Sequence, residues 1–258
     1  MAKSLRERAL AGETVRGAMV FEFFSPGIGQ ILVQAGAEYA LFDMEHTGLG
    51  LETLKSMVAA CRGLPLAPMV RVPRGEYHFL ARALDVGAEG VMVPMVESVE
   101  QARAIAEATH YPPKGRRGAA FGFAHDHYSM TGDVGATMRA ADARNLIIAQ
   151  IETERGLAQL EDIARVPGID VLWLGHFDLS NFMGIPAQFN HPDFNAAMAR
   201  IASVARAHGK AAGFMATDRA WIDRARALGY TMLAIGTDTG LLASATSELS
   251  SYANRPKD

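Results

Sequence analysis

Short apolar runs, each broken by polar groups at its C-terminal end, set the rhythm of this 258-residue chain. Tyr39-Ala40-Leu41-Phe42 is continuous rather than alternating, as in a strand covered on both faces, and it stops at Asp43, Glu45 and His46. The same event recurs at Val70-Arg71, at Ile148-Ala149-Gln150-Ile151-Glu152 and at Leu172-Trp173-Leu174-Gly175-His176-Phe177-Asp178. Charged groups placed directly after a buried strand sit at the mouth of whatever buries it. Four strands therefore deliver polar chemistry from one end, which points to an enzyme.

Between these runs, helical patterns end at glycine and the next apolar run starts within about four residues, as in Gln34-Ala35-Gly36-Ala37-Glu38-Tyr39 and Ala227-Leu228-Gly229-Tyr230-Thr231-Met232. The pattern predicts eight strands, at 16–23, 39–42, 67–72, 90–96, 145–151, 170–174, 211–215 and 231–236. Helices with apolar residues at three- and four-residue spacing are predicted at 51–62, 98–108, 193–208 and 218–228. Eight strands alternating with helices predict an α/β fold of the (βα)8 barrel type rather than an open doubly wound sheet, and no G-x-G-x-x-G follows the first strand. Two segments exceed the repeating unit. Residues 111–145 are too long for a plain loop, so a helix is expected there, lying over the mouth or against a partner subunit. A C-terminal helix over 240–252 carries Leu241, Leu242, Ala245 and Leu249 on one stripe, for docking on its own barrel or another.

The length suits one barrel domain spanning 1–258. With 25 basic against 28 acidic residues and net charge -3 there is no block of like charge, which argues against nucleic-acid or membrane partners. The N-terminal stretch shows a capping box, Ser4-Leu5-Arg6-Glu7, instead of the apolar core of a signal peptide, and no apolar run reaches the ~20 residues of a membrane span. A cytoplasmic protein is expected. Cys61 falls in an apolar helical stretch and reads as a buried thiol. None of the five lysines, Lys3, Lys55, Lys114, Lys210 and Lys257, ends a predicted strand, so Schiff-base chemistry is not expected.

In a barrel the C-terminal strand ends converge, gathering Asp43, Glu45, His46, Arg71, Gln150, Glu152 and Asp178. Glu152 and Asp178 end consecutive strands. Two unpaired carboxylates in one pocket repel, and a divalent cation between them removes that cost; two protein oxygens suit Mg2+ or Mn2+ better than Zn2+. The alternative is that local arginines such as Arg155 pair them, or that they cap the helices that follow. Arg71, in an apolar strand, must meet an anion, either Asp43 or Glu45 or a substrate oxyanion. His46 reads equally as a general base or as a histidine satisfied by a carboxylate. His125-Asp126-His127, in a Gly-rich connection, reads as a solvated loop rather than a ligand cluster.

Taken together, Asp43-x-Glu45-His46, Val70-Arg71-Val72-Pro73, Gly87-Ala88-x-Gly90-Val91-x-Val93-Pro94-Met95-Val96, Tyr111-Pro112-Pro113-x-Gly115-x-Arg117-Gly118 and Gln150-Ile151-Glu152-Thr153 resemble the class II, metal-dependent pyruvate aldolases of the 4-hydroxy-2-oxoheptane-1,7-dioate and 2-dehydro-3-deoxyglucarate aldolase type. The resemblance runs from about Gly17 to Gly240. It implies Glu152 and Asp178 as ligands of Mg2+ or Mn2+, with Co2+ a third candidate, and His46 as general base. It further implies that Arg71 stabilises an enolate oxygen, that Gln150 and the Phe177 backbone contact substrate, and that Asp85 raises the basicity of His46. The reaction implied is reversible aldol cleavage of a 4-hydroxy-2-oxo acid to pyruvate and an aldehyde through a metal-stabilised enolate, in hexamers built from trimers that exchange the C-terminal helix. One departure is His176, where most members have proline; it either alters the carboxylate-binding loop or packs beside Trp173. Two rival readings share the barrel. One is a citrate-lyase-β-like acyl-CoA lyase, for which Lys114-Gly115-Arg116-Arg117 would have to hold CoA phosphates. The other is a catalytically silent metabolite-binding barrel.

Overall fold

The computed structural model describes residues 3–129 and 132–254. Its strands are β1 (Val15–Val20), β2 (Tyr39–Asp43), β3 (Ala67–Arg71), β4 (Gly90–Val93), β5 (Leu146–Ile151), β6 (Val171–Leu174), β7 (Ala211–Ala216) and β8 (Met232–Thr237). They pair in parallel in chain order, and β8 returns to β1 to close the barrel. The helices are α1 (Leu5–Leu10), α2 (Ile28–Gln34), α3 (Leu51–Ala60), α4 (Tyr77–Asp85), α5 (Val99–Thr109), α6 (Val134–Arg144), α7 (Glu154–Ala158), α8 (Leu160–Arg165), α9 (His176–Phe182), α10 (Pro192–Ala207), α11 (Arg219–Leu228) and α12 (Asp238–Ala253). Among the described residues no helix is long and apolar enough to cross a membrane.

Strand side chains alternate between two apolar cores. Tyr39, Leu41, Met69, Met92, Ile148 and Trp173 fill the barrel interior, while Phe42, Val70, Val91, Ile147, Leu172 and Phe214 face the helices. Because that alternation continues to the strand ends, Asp43, Arg71 and Gln150 lie on the inward face as the next members of their series. The interior takes the Trp173 ring because Gly213 lies beside it; a Cβ there would stand 2.1 Å from the ring.

The other mouth is closed by structure rather than chemistry. Ser4 and Glu7 form the expected capping box on α1, whose Ala9 packs into the interior core. Arg6 grips the buried Asp170 with two hydrogen bonds of 3.0 and 2.7 Å, and Lys210 donates to the carbonyls of Val166 and Ile169 at 3.1 and 2.5 Å. Residues 111–145 carry α6 and a short 3-10 turn, Ala124–Asp126. The described residues of this segment do not arch over the mouth formed by the C-terminal strand ends. The segment starts near Tyr77, whose hydroxyl accepts from the Gly118 amide at 2.7 Å, and reaches the opposite face, where a Cβ on Gly87 would lie 3.3 Å from the Ala124 carbonyl.

Two predicted strands overshoot. β1 stops at Val20, because the amides of residues 21–23 turn to Asp238 instead of a neighbouring strand. β4 stops at Val93, before Pro94, which has no N–H for the ladder, and Met95, which adopts φ 54°.

Candidate active site

The register of β2 on β3 sets Asp43 directly opposite Arg71. Asp43 is fully buried and accepts from Arg71 Nε at 2.5 Å. Its two oxygens also accept from the amides of Glu45 and His46, at 3.3 and 2.9 Å, which shapes the turn that presents His46 to solvent. Arg71 Nη1 meets Glu45 at 3.2 Å, and the Phe21 ring covers the guanidinium at 5.4 Å. The remaining nitrogen, Arg71 Nη2, is buried without a hydrogen-bond partner. A fork flanked by two carboxylates thus keeps one donor unpartnered on a side chain that lines the cleft. His46 lies 3.6 Å from the Glu45 carboxylate, with more than half its side chain exposed.

On the other side, Gln150 and Glu152 project from the end of β5 toward Gly175 at the end of β6. A Cβ on Gly175 would stand 2.2 Å from Glu152 Oε2 and 2.8 Å from Gln150 Nε2, so only glycine allows this approach. Glu152 accepts from the Met95 amide at 2.7 Å and from the Gln150 carboxamide. Burial pushes its carboxyl up to about 7 despite those donors, and the charges of Glu45 and Asp178 push in the same direction. Glu45 is likewise raised to about 7, by burial first, against the pull of Arg71. Asp178 stands in the first turn of α9, where a negative charge meets the free amides of the helix start.

These groups surround a cleft of about 280 Å³ lined by His46, Arg71, Gln150, His176, Phe177 and Asp178, with Met19, Phe21, Trp173 and Met215 as its apolar wall. Glu152 pairs with no arginine, so the local ion pair considered from sequence is not what holds it. Four acidic groups, Asp43, Glu45, Glu152 and Asp178, gathered with one guanidinium among them leave negative charge uncompensated, and Gln150 Oε1 is a buried acceptor without a partner. The donor set is all oxygen, which suits a hard divalent cation. Among the described residues no group of three or more His, Cys, Asp or Glu side chains is gathered to hold a metal ion. An ion here would take the two carboxylates Glu152 and Asp178 and complete its shell with other oxygens.

Of the residues singled out from sequence, His46, Arg71, Gln150, Glu152, Phe177 and Asp178 come together, and Asp85 does not. Asp85 ends α4, which runs from the catalytic mouth back to the start of β4, so it stands at the opposite face from His46 and bonds Arg117 at 2.8 Å. The His125 segment is not a solvated loop. His125 and Asp126 are buried, and burial lowers the His125 pKa. His176 packs not beside Trp173 but within a cage of Phe177, Phe189, Phe214 and Trp221 at 4.6 to 5.8 Å, and burial lowers it to about 4, which keeps the ring neutral. Cys61 is buried as expected, its thiol pushed up to about 11. The sequence reading missed the Met95 amide and Gly175. Both lay in plain signals, a Pro–Met step ending one strand and a glycine placed after another.

A fold and a cleft of this kind recur in known proteins. The family model described as HpcH/HpaI aldolase/citrate lyase matches residues 19–245. A hydroxypyruvate/pyruvate aldolase of Roseobacter denitrificans is 34% identical over 93% of this chain and 91% of its own. A 5-keto-4-deoxy-D-glucarate aldolase of Shigella dysenteriae is 32% identical over 93% of both. The crystal structure of an HpcH/HpaI aldolase/citrate lyase family protein from Burkholderia cenocepacia superposes with a TM-score of 0.91 at 31% identity, over 98% of this chain and 100% of that one. With strand-end acids, a free guanidinium donor and near-complete coverage in agreement, the chain belongs to the HpcH/HpaI aldolase/citrate lyase family and is a carbon–carbon lyase.

Proposed function

We propose that the chain catalyses reversible aldol cleavage of a 4-hydroxy-2-oxo acid to pyruvate, or a related 2-oxo acid, and an aldehyde, with Glu152 and Asp178 holding Mg2+ or Mn2+. The family is generally dependent on a divalent metal. The observation that carries the reading is Arg71 Nη2, a buried and unpartnered donor in a cleft with His46 on its rim. In the cleavage direction His46 removes the proton of the 4-hydroxyl group, the C3–C4 bond breaks, and the aldehyde leaves. The electron pair of the broken bond passes into a pyruvate enolate whose oxygen faces Arg71, and protonation at C3 by the proton that His46 took up gives pyruvate. A preorganised donor of this type contributes about 3 kcal/mol to the barrier, since it needs no reorientation as charge develops. The bound cation supplies Lewis-acid stabilisation of developing negative charge. Gln150 and the Phe177 amide, in the first turn of α9 where helix amides lack internal acceptors, orient the oxo acid. In reverse, the same base removes a methyl proton from pyruvate. Asp85 can support His46 only across a subunit boundary, and the exposed α12 is the element that would join subunits, in a hexamer or a smaller assembly.

An acyl-CoA lyase is disfavoured by its own candidate residues. Of Lys114-Gly115-Arg116-Arg117, Arg117 turns inward to Asp85 and the Tyr111 ring and is buried. That leaves too little positive surface to hold CoA phosphates.

The test is hydrogen–deuterium exchange at the pyruvate methyl group by proton NMR, with Mg2+ or Mn2+ and then with a chelator. Exchange that requires metal is the expected result. No exchange with either metal, in a folded protein, would sink the aldolase reading, and with it the choice between this chemistry and a silent barrel falls to the latter.

A further inference from the structure

Asp238 is the first residue of α12, yet its carboxylate belongs to the start of the barrel. Oδ1 accepts from the Phe21 amide at 3.0 Å and from the Thr239 amide at 2.9 Å. Oδ2 accepts from Glu22 and Phe23 at 3.0 and 2.8 Å. The group is buried, and each of these four donors is a backbone amide. A buried carboxylate that gathers three successive amides fixes the path of that loop. The loop in turn carries Phe21, whose ring lines the cleft and covers the Arg71 guanidinium at 5.4 Å.

The edges of Arg71 are held by Asp43 and Glu45, but edge contacts leave the guanidinium plane free to rock about them. A ring against its face removes that freedom. We propose that Asp238 is a positioning residue for the aldol reaction: by binding the amides of residues 21–23 it holds the Phe21 ring against Arg71 and so fixes the direction of the free Nη2 donor. This rests on the reading that Arg71 acts on the substrate's oxo oxygen. It also ties the root of the C-terminal helix to the catalytic centre, which a plain helix cap would not do.

The experiment uses the full chain with Mg2+ and follows pyruvate-methyl exchange in Asp238→Asn, Phe21→Leu, Phe21→Tyr and the double variant Asp238→Asn/Phe21→Leu. Asparagine turns an NH2 group toward amide donors, so the loop must move. The expected result is a fall in kcat of about tenfold for Asp238→Asn, in keeping with the steep cost of small misplacements, with KM for pyruvate shifted less than threefold. Phe21→Leu should fall similarly, the double variant no further than the poorer single one, and Phe21→Tyr, which keeps the ring, should retain most of the rate. A carboxylate serving stability alone would leave kcat of the folded enzyme unchanged, and one acting independently of Phe21 would give losses that multiply. Wild-type kcat in Asp238→Asn, or multiplied losses in the double variant, would overturn the proposal; should Asp238→Asn not fold, wild-type kcat in Phe21→Leu does so. If the parent protein exchanges nothing, the aldolase reading has failed separately. The crystal structure of Asp238→Asn then decides, with Phe21 displaced from Arg71 in support and Phe21 in place against.

Discussion

Arg71 shows how a single side chain can be fully committed and still available. Its Nε and Nη1 are taken by Asp43 and Glu45, and Nη2 is left for whatever enters the cleft. Arg71→Ala is expected to lower pyruvate-methyl exchange by about 100-fold or more, the usual cost of losing one oxyanion donor, while metal affinity changes less than about threefold. Arg71→Lys, which keeps a charge but not the planar fork, should recover little of the rate. Exchange kinetics and calorimetric metal titration on the same variants check both halves, and an Arg71→Ala enzyme with full turnover removes Arg71 from the mechanism. The acids opposite make a second prediction. Glu45 and Glu152 sit near 7 in the folded, metal-free chain, against about 4.3 for an unfolded glutamate. Between those values the folded state holds more protons than the unfolded one, so stability falls as pH rises from about 4.5 to 7. A cation between the carboxylates offsets that repulsion. With chelator, Tm should decline from pH 5 to pH 8; Mg2+ or Mn2+ should raise Tm more at pH 8 than at pH 5; and Glu152→Gln should flatten the chelated curve. A metal increment that ignores pH would contradict the assignment.

At the level of elements, the strands were legible because a buried parallel strand needs an unbroken apolar run, and polar residues at its end then mark the mouth. The gathering of His46, Arg71, Gln150, Glu152 and Asp178 follows from that alone. What stayed hidden depends on contacts between distant segments. Asp85 looks like any helix-end acid, and only the direction of α4 shows that it faces away from His46. The true end of β1 is set by Asp238, more than two hundred residues downstream. His125 and Asp126 are polar in a Gly-rich stretch, and nothing local announces that α4 and α6 bury them. The opposite mouth supplies a prediction that separates stability from chemistry. Asp170 is buried, takes two hydrogen bonds from Arg6, and accepts the Ile147 amide at 3.0 Å, so it joins α1 to the start of β5. Asp170→Ala should cost about 3 kcal/mol in urea unfolding, because it leaves a cation and an amide without their acceptor. Exchange by the folded fraction should stay near that of the parent protein.

For the whole molecule, α12 is the part that a lone barrel does not explain. Every residue from Thr239 to Asn254 is exposed, including Leu242, Leu249 and Tyr252 at 57, 70 and 68%. Its sequence is rich in Ser and Thr and contains Gly240, all weaker helix formers than Ala or Leu, so intrinsic propensity alone would hold such a helix poorly in water. Tertiary packing normally supplies the difference, and an apolar stripe left open on a barrel otherwise complete fits a second copy of the same chain. Leu242→Glu/Leu249→Glu should therefore reduce the molar mass seen by light scattering, with the parent protein dissociating on dilution. Unchanged mass would mean that α12 plays no part in assembly. The same variant probes the link from Asp238 to Phe21 and Arg71. If partner contacts on α12 hold its first turn in place, loss of assembly should lower exchange per active site in proportion to the dissociated fraction, and the parent enzyme should lose specific activity over the same dilution range in which its mass falls.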